Sequence, residues 1–227
     1  MKSLKKYLNL FHFIFLYSLV ASKLFSQTQE WIVYNTSNSG LPDNDVRAIA
    51  IDGQGNKWIG TYDGGLAKFD GVNWTVYNTS NSGLPYNYVR AIAIDGQGNK
   101  WIGTDWGLAK FDGVNWTVYN ASNSPLPDDY VLAIAIDGQG NKWIGTRYGG
   151  LAKFDGVSWT IYNTSNSGLP YNRVYAIAID GQGNKWIGTD VGGLASPPPN
   201  VPIHLLPCPS MAIAQTTLSG KPEFEVL

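Results

Sequence analysis

One unit of 42 to 43 residues recurs four times along this chain, and it decides most of what the chain can become. Trp58, Trp101, Trp143 and Trp186 each sit in Asn-Lys-Trp-Ile-Gly-Thr. Trp31, Trp74, Trp116 and Trp159 each open a Trp-(Ile/Thr)-(Val/Ile)-Tyr-Asn segment. Both series step by 43, 42 and 43 residues. The one deletion falls at Asp105-Trp106-Gly107, where the sister copies carry Gly-Gly. A unit this small cannot bury both of its faces alone, so it must stack on its neighbours.

Each unit reads as four short strands. In Val46–Asp52, Val46, Ala48 and Ala50 are expected to face one way and Ile49 and Ile51 the other. Both faces are apolar, so this strand is expected to be buried on both sides. Asp52-Gly-Gln-Gly-Asn56 offers glycines for a tight turn. Lys57–Thr61 and Gly65–Phe69 follow, then a turn at Asp70-Gly71 and a fourth strand, Trp74–Tyr77. A polar loop, Asn78–Asn87, leads to the next unit. The high Trp and Tyr content and the near absence of Glu suit strands better than helices.

Four antiparallel strands per unit of this length predict an all-β propeller built from four four-stranded antiparallel blades. A linear β-solenoid competes, but its units are usually shorter and lack inner and outer strands. The ring is either a closed four-bladed one or an open arc. The chain opens with a lone fourth strand, Trp31–Tyr34, and its last unit has only three, so the first could complete the last. Against closure, four blades must turn about 90° each.

The ends differ from the repeats. Lys2, Lys5 and Lys6 precede an apolar run, Tyr7–Val20, with small residues at Ala21, Ser22 and Ser26. That run is too short and too polar for a stable span, which needs about 20 apolar residues. Residues 1–26 are therefore expected to be a signal peptide, 27–195 the repeat domain, and the Pro-rich residues 196–227 a disordered tail or an out-of-frame end. The protein is expected to be exported, periplasmic or secreted, with no membrane span after cleavage. Cleavage leaves a net charge of −5, which argues against a nucleic-acid partner. The lone Cys208 can form no internal disulfide.

Val-Arg-Ala-Ile-Ala-Ile-Asp-Gly-Gln-Gly-Asn-Lys-Trp-Ile-Gly-Thr followed by Gly-Gly-Leu-Ala-Lys-Phe-Asp resembles the two-component regulator propeller repeat. The resemblance covers residues 31–195. It implies a seven-bladed propeller, often in tandem, in the periplasmic sensor region of a hybrid two-component system, with carbohydrate sensing in the best-understood members. This chain departs from that pattern. It has four units, no second membrane segment and no kinase, and its repeat stops at Ala195.

The blades hold no His and no Cys, so nucleophilic triads and His-based acid–base chemistry are excluded from them. No enzyme activity, cofactor or metal is expected. Streptogramin-inactivating lyases are propellers of similar repeat appearance, but they rely on a His that these blades lack. Asp52, Asp95, Asp137 and Asp180 recur in every copy and are read as turn residues. The Asp-Gly-Gln-Gly-Asn turn supplies one carboxylate and no bidentate Glu, a poor calcium ligand set.

The informative positions are those where the copies differ. They fall in the second-to-third loop and just before the first strand, which a four-strand meander places on one face. Tyr62, Asp63, Asp105, Trp106, Arg147, Tyr148 and Asp190 lie in the first set, and Tyr88, Tyr130 and Arg173 in the second. Aromatic faces beside polar groups suit sugar rings or a protein partner. Neutral drift at exposed loops is the competing account. The expected function is a ligand-binding or sensing module, with a glycan or protein ligand. The alternative is a structural or protein-interaction repeat, or a fragment of a larger two-component sensor. An open arc would leave apolar end faces and invite a homodimer.

Overall fold

The structure is a computed structural model and describes residues 31–196. The expected signal peptide lies outside the described residues, as does the expected tail beyond Ser196.

Fifteen strands follow one another: β1 (Val46–Ile51), β2 (Lys57–Thr61), β3 (Leu66–Phe69), β4 (Trp74–Tyr77), β5 (Val89–Ile94), β6 (Lys100–Thr104), β7 (Gly107–Phe111) and β8 (Trp116–Tyr119) in the first half. The second half holds β9 (Val131–Ile136), β10 (Lys142–Thr146), β11 (Leu151–Phe154), β12 (Trp159–Tyr162), β13 (Val174–Ile179), β14 (Lys185–Thr189) and β15 (Leu194–Ala195). They form three four-stranded meanders, β1–β4, β5–β8 and β9–β12, and a three-stranded one, β13–β15. All pairings are antiparallel. The fold is thus all-β, in four sheets that correspond to the four sequence units.

The innermost strands line up: β1 lies against β5, β5 against β9 and β9 against β13. Among the described residues no comparable contact joins β13 to β1. The arrangement is therefore open, an arc of blades. Residues 31–34, which belong to a unit separate from the blades, form no strand.

The Asp-Gly-Gln-Gly-Asn turn has a second task beyond reversing the chain. Gly55 takes φ +82°, a left-handed conformation that other residues enter at a cost. The Asp52 carboxylate accepts N–H bonds from Gln54 (3.0 Å) and Asn56 (2.9 Å), and also the indole N–H of Trp58 at 2.9 Å. The turn is tied to the core through that indole. Asp95–Trp101 and Asp137–Trp143 repeat the bond at 2.9 Å, and Asp180–Trp186 makes it at 3.1 Å.

Blades meet through those tryptophans. Trp58 packs with Leu66 of its own blade and with Val89, Ile102, Ala109 and Phe111 of the next. Tyr77 stacks on Trp58 at 6.0 Å, and Phe111 meets it edge-on at 6.1 Å. The same set recurs around Trp101, and around Trp143 without a phenylalanine among the described residues. A Cβ at Gly60 would lie 2.4 Å from Cγ1 of Val89, so only glycine lets the two blades approach this closely. That is why the repeat reads Trp-Ile-Gly-Thr.

The inner strand departs from simple alternation. Its pairing shifts register between Val46 and Ala48, Val89 and Ala91, and Val174 and Ala176, with the matching shift at Thr146–Val131. Arg47, Arg90, Leu132 and Tyr175 are the extra residues, one β-bulge per blade. The bulge changes the parity of the strand. Val89 therefore shares a face with Ile92 and Ile94, all three against Trp58, rather than with Ala91 and Ala93. The burial expected for both sides of the inner strand also fails in blade 1, where Ile49 and Ile51 are exposed, with no blade before them among the described residues.

The turn carboxylates make acid stability predictable in sign. Burial alone would raise the Asp52 carboxyl, but the bonds from Trp58, Asn56 and Gln54 outweigh it and hold the group at about 2. The bonds from Asn184 and Trp186 likewise hold Asp180 at about 2. Asp95 and Asp137 are also lowered, burial opposing the same kind of bonds. A free Asp titrates near ~3.9, so folding gains from these carboxylates above that pH and loses the gain as pH falls towards their folded values. The urea midpoint is expected to stay level from pH 7 to about 5 and to drop below about pH 4. A midpoint that rises on acidification would contradict this.

Candidate functional site

The bulges aim side chains at the mouth of the inner strands, and this is where the copies differ. Arg47, Arg90, Leu132 and Tyr175 occupy the bulge itself. The residue one or two places earlier is Asp45, Tyr88, Tyr130 or Arg173, and the β2–β3-type turn contributes Tyr62, Asp105, Arg147 or Asp190. Backbone bonds lock the two segments together in blades 1, 3 and 4. Tyr62 N–H donates to the Asp45 carbonyl (3.0 Å), Arg147 to Tyr130 (3.0 Å) and Asp190 to Arg173 (3.1 Å).

The side chains form clusters that cross blade boundaries. Tyr62 of blade 1 meets Tyr88 of blade 2 edge-on, with ring centres 4.4 Å apart. The Arg47 guanidinium lies 5.5 Å from the Tyr62 ring and 5.7 Å from that of Tyr88. Arg90 covers the Tyr88 ring at 3.9 Å and pairs with Asp105 through two hydrogen bonds, one of them Nη2 to Oδ2 at 3.0 Å. Trp106 stacks on Tyr86 at 5.2 Å and stays exposed. In the second half, Tyr130 and Tyr148 meet edge-on at 6.3 Å, with Arg147 5.2 and 5.1 Å from the two rings. Arg173 lies 5.5 Å from Tyr148 and donates to Asp190 at 2.7 Å.

Asp63 takes a different part. Its backbone N–H donates to the Asp43 carboxylate at 2.9 Å, and Tyr148 N–H donates to Asp128 at 2.7 Å. The bonds from Asp45 and Asp63 hold the Asp43 carboxyl below the usual carboxylate range. These Asp residues pin the turn in place. All ten sequence-selected residues therefore lie in the two facing sets of segments, and nine of them enter side-chain clusters or ion pairs there.

Sequence reasoning missed Arg47 and Arg90. Arg47 and Arg90 sit in Val-Arg-Ala-Ile-Ala-Ile, which reads as repeat-invariant strand. The signal was in the other copies, where the same position is Leu132 and Tyr175. A strand position that varies from Arg to Leu to Tyr is not one the core holds.

Two polar groups on this face lack partners among the described residues. Arg147 has no carboxylate partner. Arg173 Nε is buried without an acceptor. No group of three or more His, Cys, Asp or Glu that could hold a metal occurs among the described residues.

The stacked meanders with aligned inner strands are β-propeller blades. Residues 40–63, 83–106 and 168–191 match the family model described as two component regulator propeller, so the chain carries repeats of that family. A protein of B. thetaiotaomicron, named as the extracellular domain of a hybrid two component system, superposes with a TM-score of 0.67 at 28% identity, over 75% of this chain and 24% of that one. A second from the same organism, named as the extracellular domain of a one component system, gives 0.55 at 22% identity, over 69% and 25%. The chain thus spans about a quarter of the length of these two proteins. Streptogramin B lyase shares the fold, with a TM-score of 0.53 at 17% identity over 71% of this chain and 57% of that one. A comparison with curated proteins found no match.

Proposed function

We propose that this protein is an exported, non-catalytic recognition module that binds a carbohydrate or a similarly ring-shaped polar ligand on its bulge-and-loop face. One observation carries the reading: two tyrosine pairs, Tyr62–Tyr88 across the junction of blades 1 and 2 and Tyr130–Tyr148 within blade 3, each hold an arginine against both rings in the bulge-and-loop segments. Aromatic faces stack on the apolar faces of sugar rings, and guanidinium groups bond their hydroxyls or acidic substituents. Arg147, with no carboxylate partner among the described residues, is the group best placed for an acidic substituent. The matched family and the extracellular sensor domains that share the fold support a sensing role. The absence of His and Cys from the blades supports recognition without chemistry. Export rests on the Lys-rich start and the short apolar run.

A glycan array probed with the purified protein tests this. Trp106→Ala and Arg147→Ala are expected to weaken the best glycan by roughly tenfold or more each, the loss expected for an interface residue worth above 1 kcal/mol. Both side chains are on the surface, so the urea midpoint is expected to move little. Binding that survives the double substitution undiminished would remove this face as the site.

A further inference from the structure

Every internal blade junction is made of the same two halves, and the ends of the arc each carry one half alone. At a junction, the valine that opens the later blade sits on a glycine of the earlier one. A Cβ would lie 2.4 Å from Val89 Cγ1 at Gly60, 2.6 Å from Val131 at Gly103 and 2.6 Å from Val174 at Gly145. Two isoleucines of the later inner strand then cover the earlier Trp, and a lysine caps it: Lys100, Lys142 and Lys185 lie 4.7, 4.8 and 5.1 Å over Trp58, Trp101 and Trp143.

Blade 4 has the receiving residues with nothing seated on them among the described residues. Trp186 is 42% exposed, against 2% for Trp58 and Trp101. Leu194 is 67% exposed where Leu66 and Leu108 are fully buried. A Cβ at Gly188 would meet only Ala176 of its own blade, at 3.3 Å. Blade 1 has the inserting residues: Val46, Ile49 and Ile51 are all exposed, while their counterparts Val89, Ile92 and Ile94 pack on Trp58.

Among the described residues blade 4 has no fourth strand, and two glycines mark the place. Cβ positions at Gly65, Gly107 and Gly150 would fall 2.2–2.5 Å from the carbonyls of Tyr77, Tyr119 and Tyr162, whereas Gly193 meets nothing. Gly83 sits against Trp116, whereas Gly168 meets nothing. A strand carrying Trp and Tyr at the right spacing would fill both places. Trp31-Ile-Val-Tyr34 has that spacing in sequence, and it precedes blade 1 as Trp159–Tyr162 precedes blade 4.

We propose that a second copy of this chain docks its blade 1 on blade 4, head to tail, and that two copies close into an eight-bladed ring. In that ring each Trp31–Tyr34 segment supplies the fourth strand of its partner's blade 4. Eight blades turn about 45° each, half of the roughly 90° that self-closure of one chain needs, and among the described residues no comparable contact joins β13 to β1. The three junctions inside each copy share one Val–Gly contact, and the two joints between copies would reuse it. The joint buries apolar faces that water otherwise covers, and it pairs the open edge of β15. A head-to-tail contact closes only if its rotation permits, and otherwise runs on as a filament.

The test uses the chain purified from cells that express it from Met1. Light scattering is expected to give twice the protomer mass. Val46→Glu places a charge in one half of the joint and Trp186→Glu in the other. Each is expected to yield monomers, with dissociation raised roughly 30-fold or more, the loss of one interface hot spot. An equal mixture of the two is expected to dimerise again through the one joint that both leave intact. Both substitutions fall on exposed positions, and a cooperative urea transition in each variant confirms folding. A monomeric parent protein, open-ended polymers, or a mixture no heavier than its components would overturn the proposal. So would a dimer that survives Val46→Glu but not Trp186→Glu, which would mark a symmetric contact between two blade 4 faces.

Discussion

Trp101→Ala will lower the unfolding free energy by roughly 3–5 kcal/mol, the usual loss for a buried aromatic side chain. The indole is 2% exposed and is held from every side. Tyr119 stacks on it at 6.1 Å, Phe154 of the next blade meets its edge at 6.0 Å, and Lys142 lies 4.8 Å above the ring. Truncation leaves a cavity at the junction of blades 2 and 3, and close-packed sheets cannot collapse to fill it. Val191→Ala provides the contrast. Val191 is exposed in the β14–β15 turn, so its loss will cost less than about 1 kcal/mol. The two urea midpoints decide the matter; equal shifts would mean that the inside and outside of the blade have been misassigned.

Asp95→Ala will cost roughly 3 kcal/mol, although the residue sits in a turn that looks dispensable. Its carboxylate is buried and accepts bonds from Gln97 N–H (3.0 Å), Asn99 N–H (2.9 Å), the Asn99 side chain and the Trp101 indole (2.9 Å). Alanine leaves the indole N–H inside the blade with no acceptor, and a buried donor left unpaired loses its full hydration energy. Asp95→Asn keeps one oxygen and is expected to cost less. The Asn variant should also flatten the fall in stability below pH 4, because it removes one of the lowered carboxylates. A urea midpoint for Asp95→Ala within error of the parent would show that the Asp–Trp bond carries no stability.

The unit length and the strand pattern were legible because each is a local pattern repeated in register. The inner strand was misread at one point. Val46, Ala48 and Ala50 alternate perfectly on paper, but the bulge at Arg47 moves the valine to the isoleucine face. A bulge is one unpaired residue, and nothing in Val-Arg-Ala marks it. The bond from the Trp58 indole to Asp52 was hidden for another reason: the partners are six residues apart across a turn, and either could have been explained without the other. The glycine of Trp-Ile-Gly-Thr takes its meaning from Val89 of the following blade, which lies against it. Such contacts belong to two units at once, so no single copy of the repeat reveals them. On the loop face the residue types were legible from variation among copies. The pairing of Tyr62 with Tyr88 across a blade boundary required the stacking geometry.

The nesting of each valine on the glycine before it bears on how such a chain grows. The contact is the same at Gly60, Gly103 and Gly145, and neither partner records which blade it belongs to. A duplicated stretch of 42 or 43 residues therefore arrives with both of its mating surfaces already cut. Blade number can rise or fall in a single genetic event, with no compensating substitution at any seam. The bulge residues lie outside that seam, so a newly copied blade is free to diverge there at once. Chains of this kind can thus gain a new variable surface position in the same event that adds a blade.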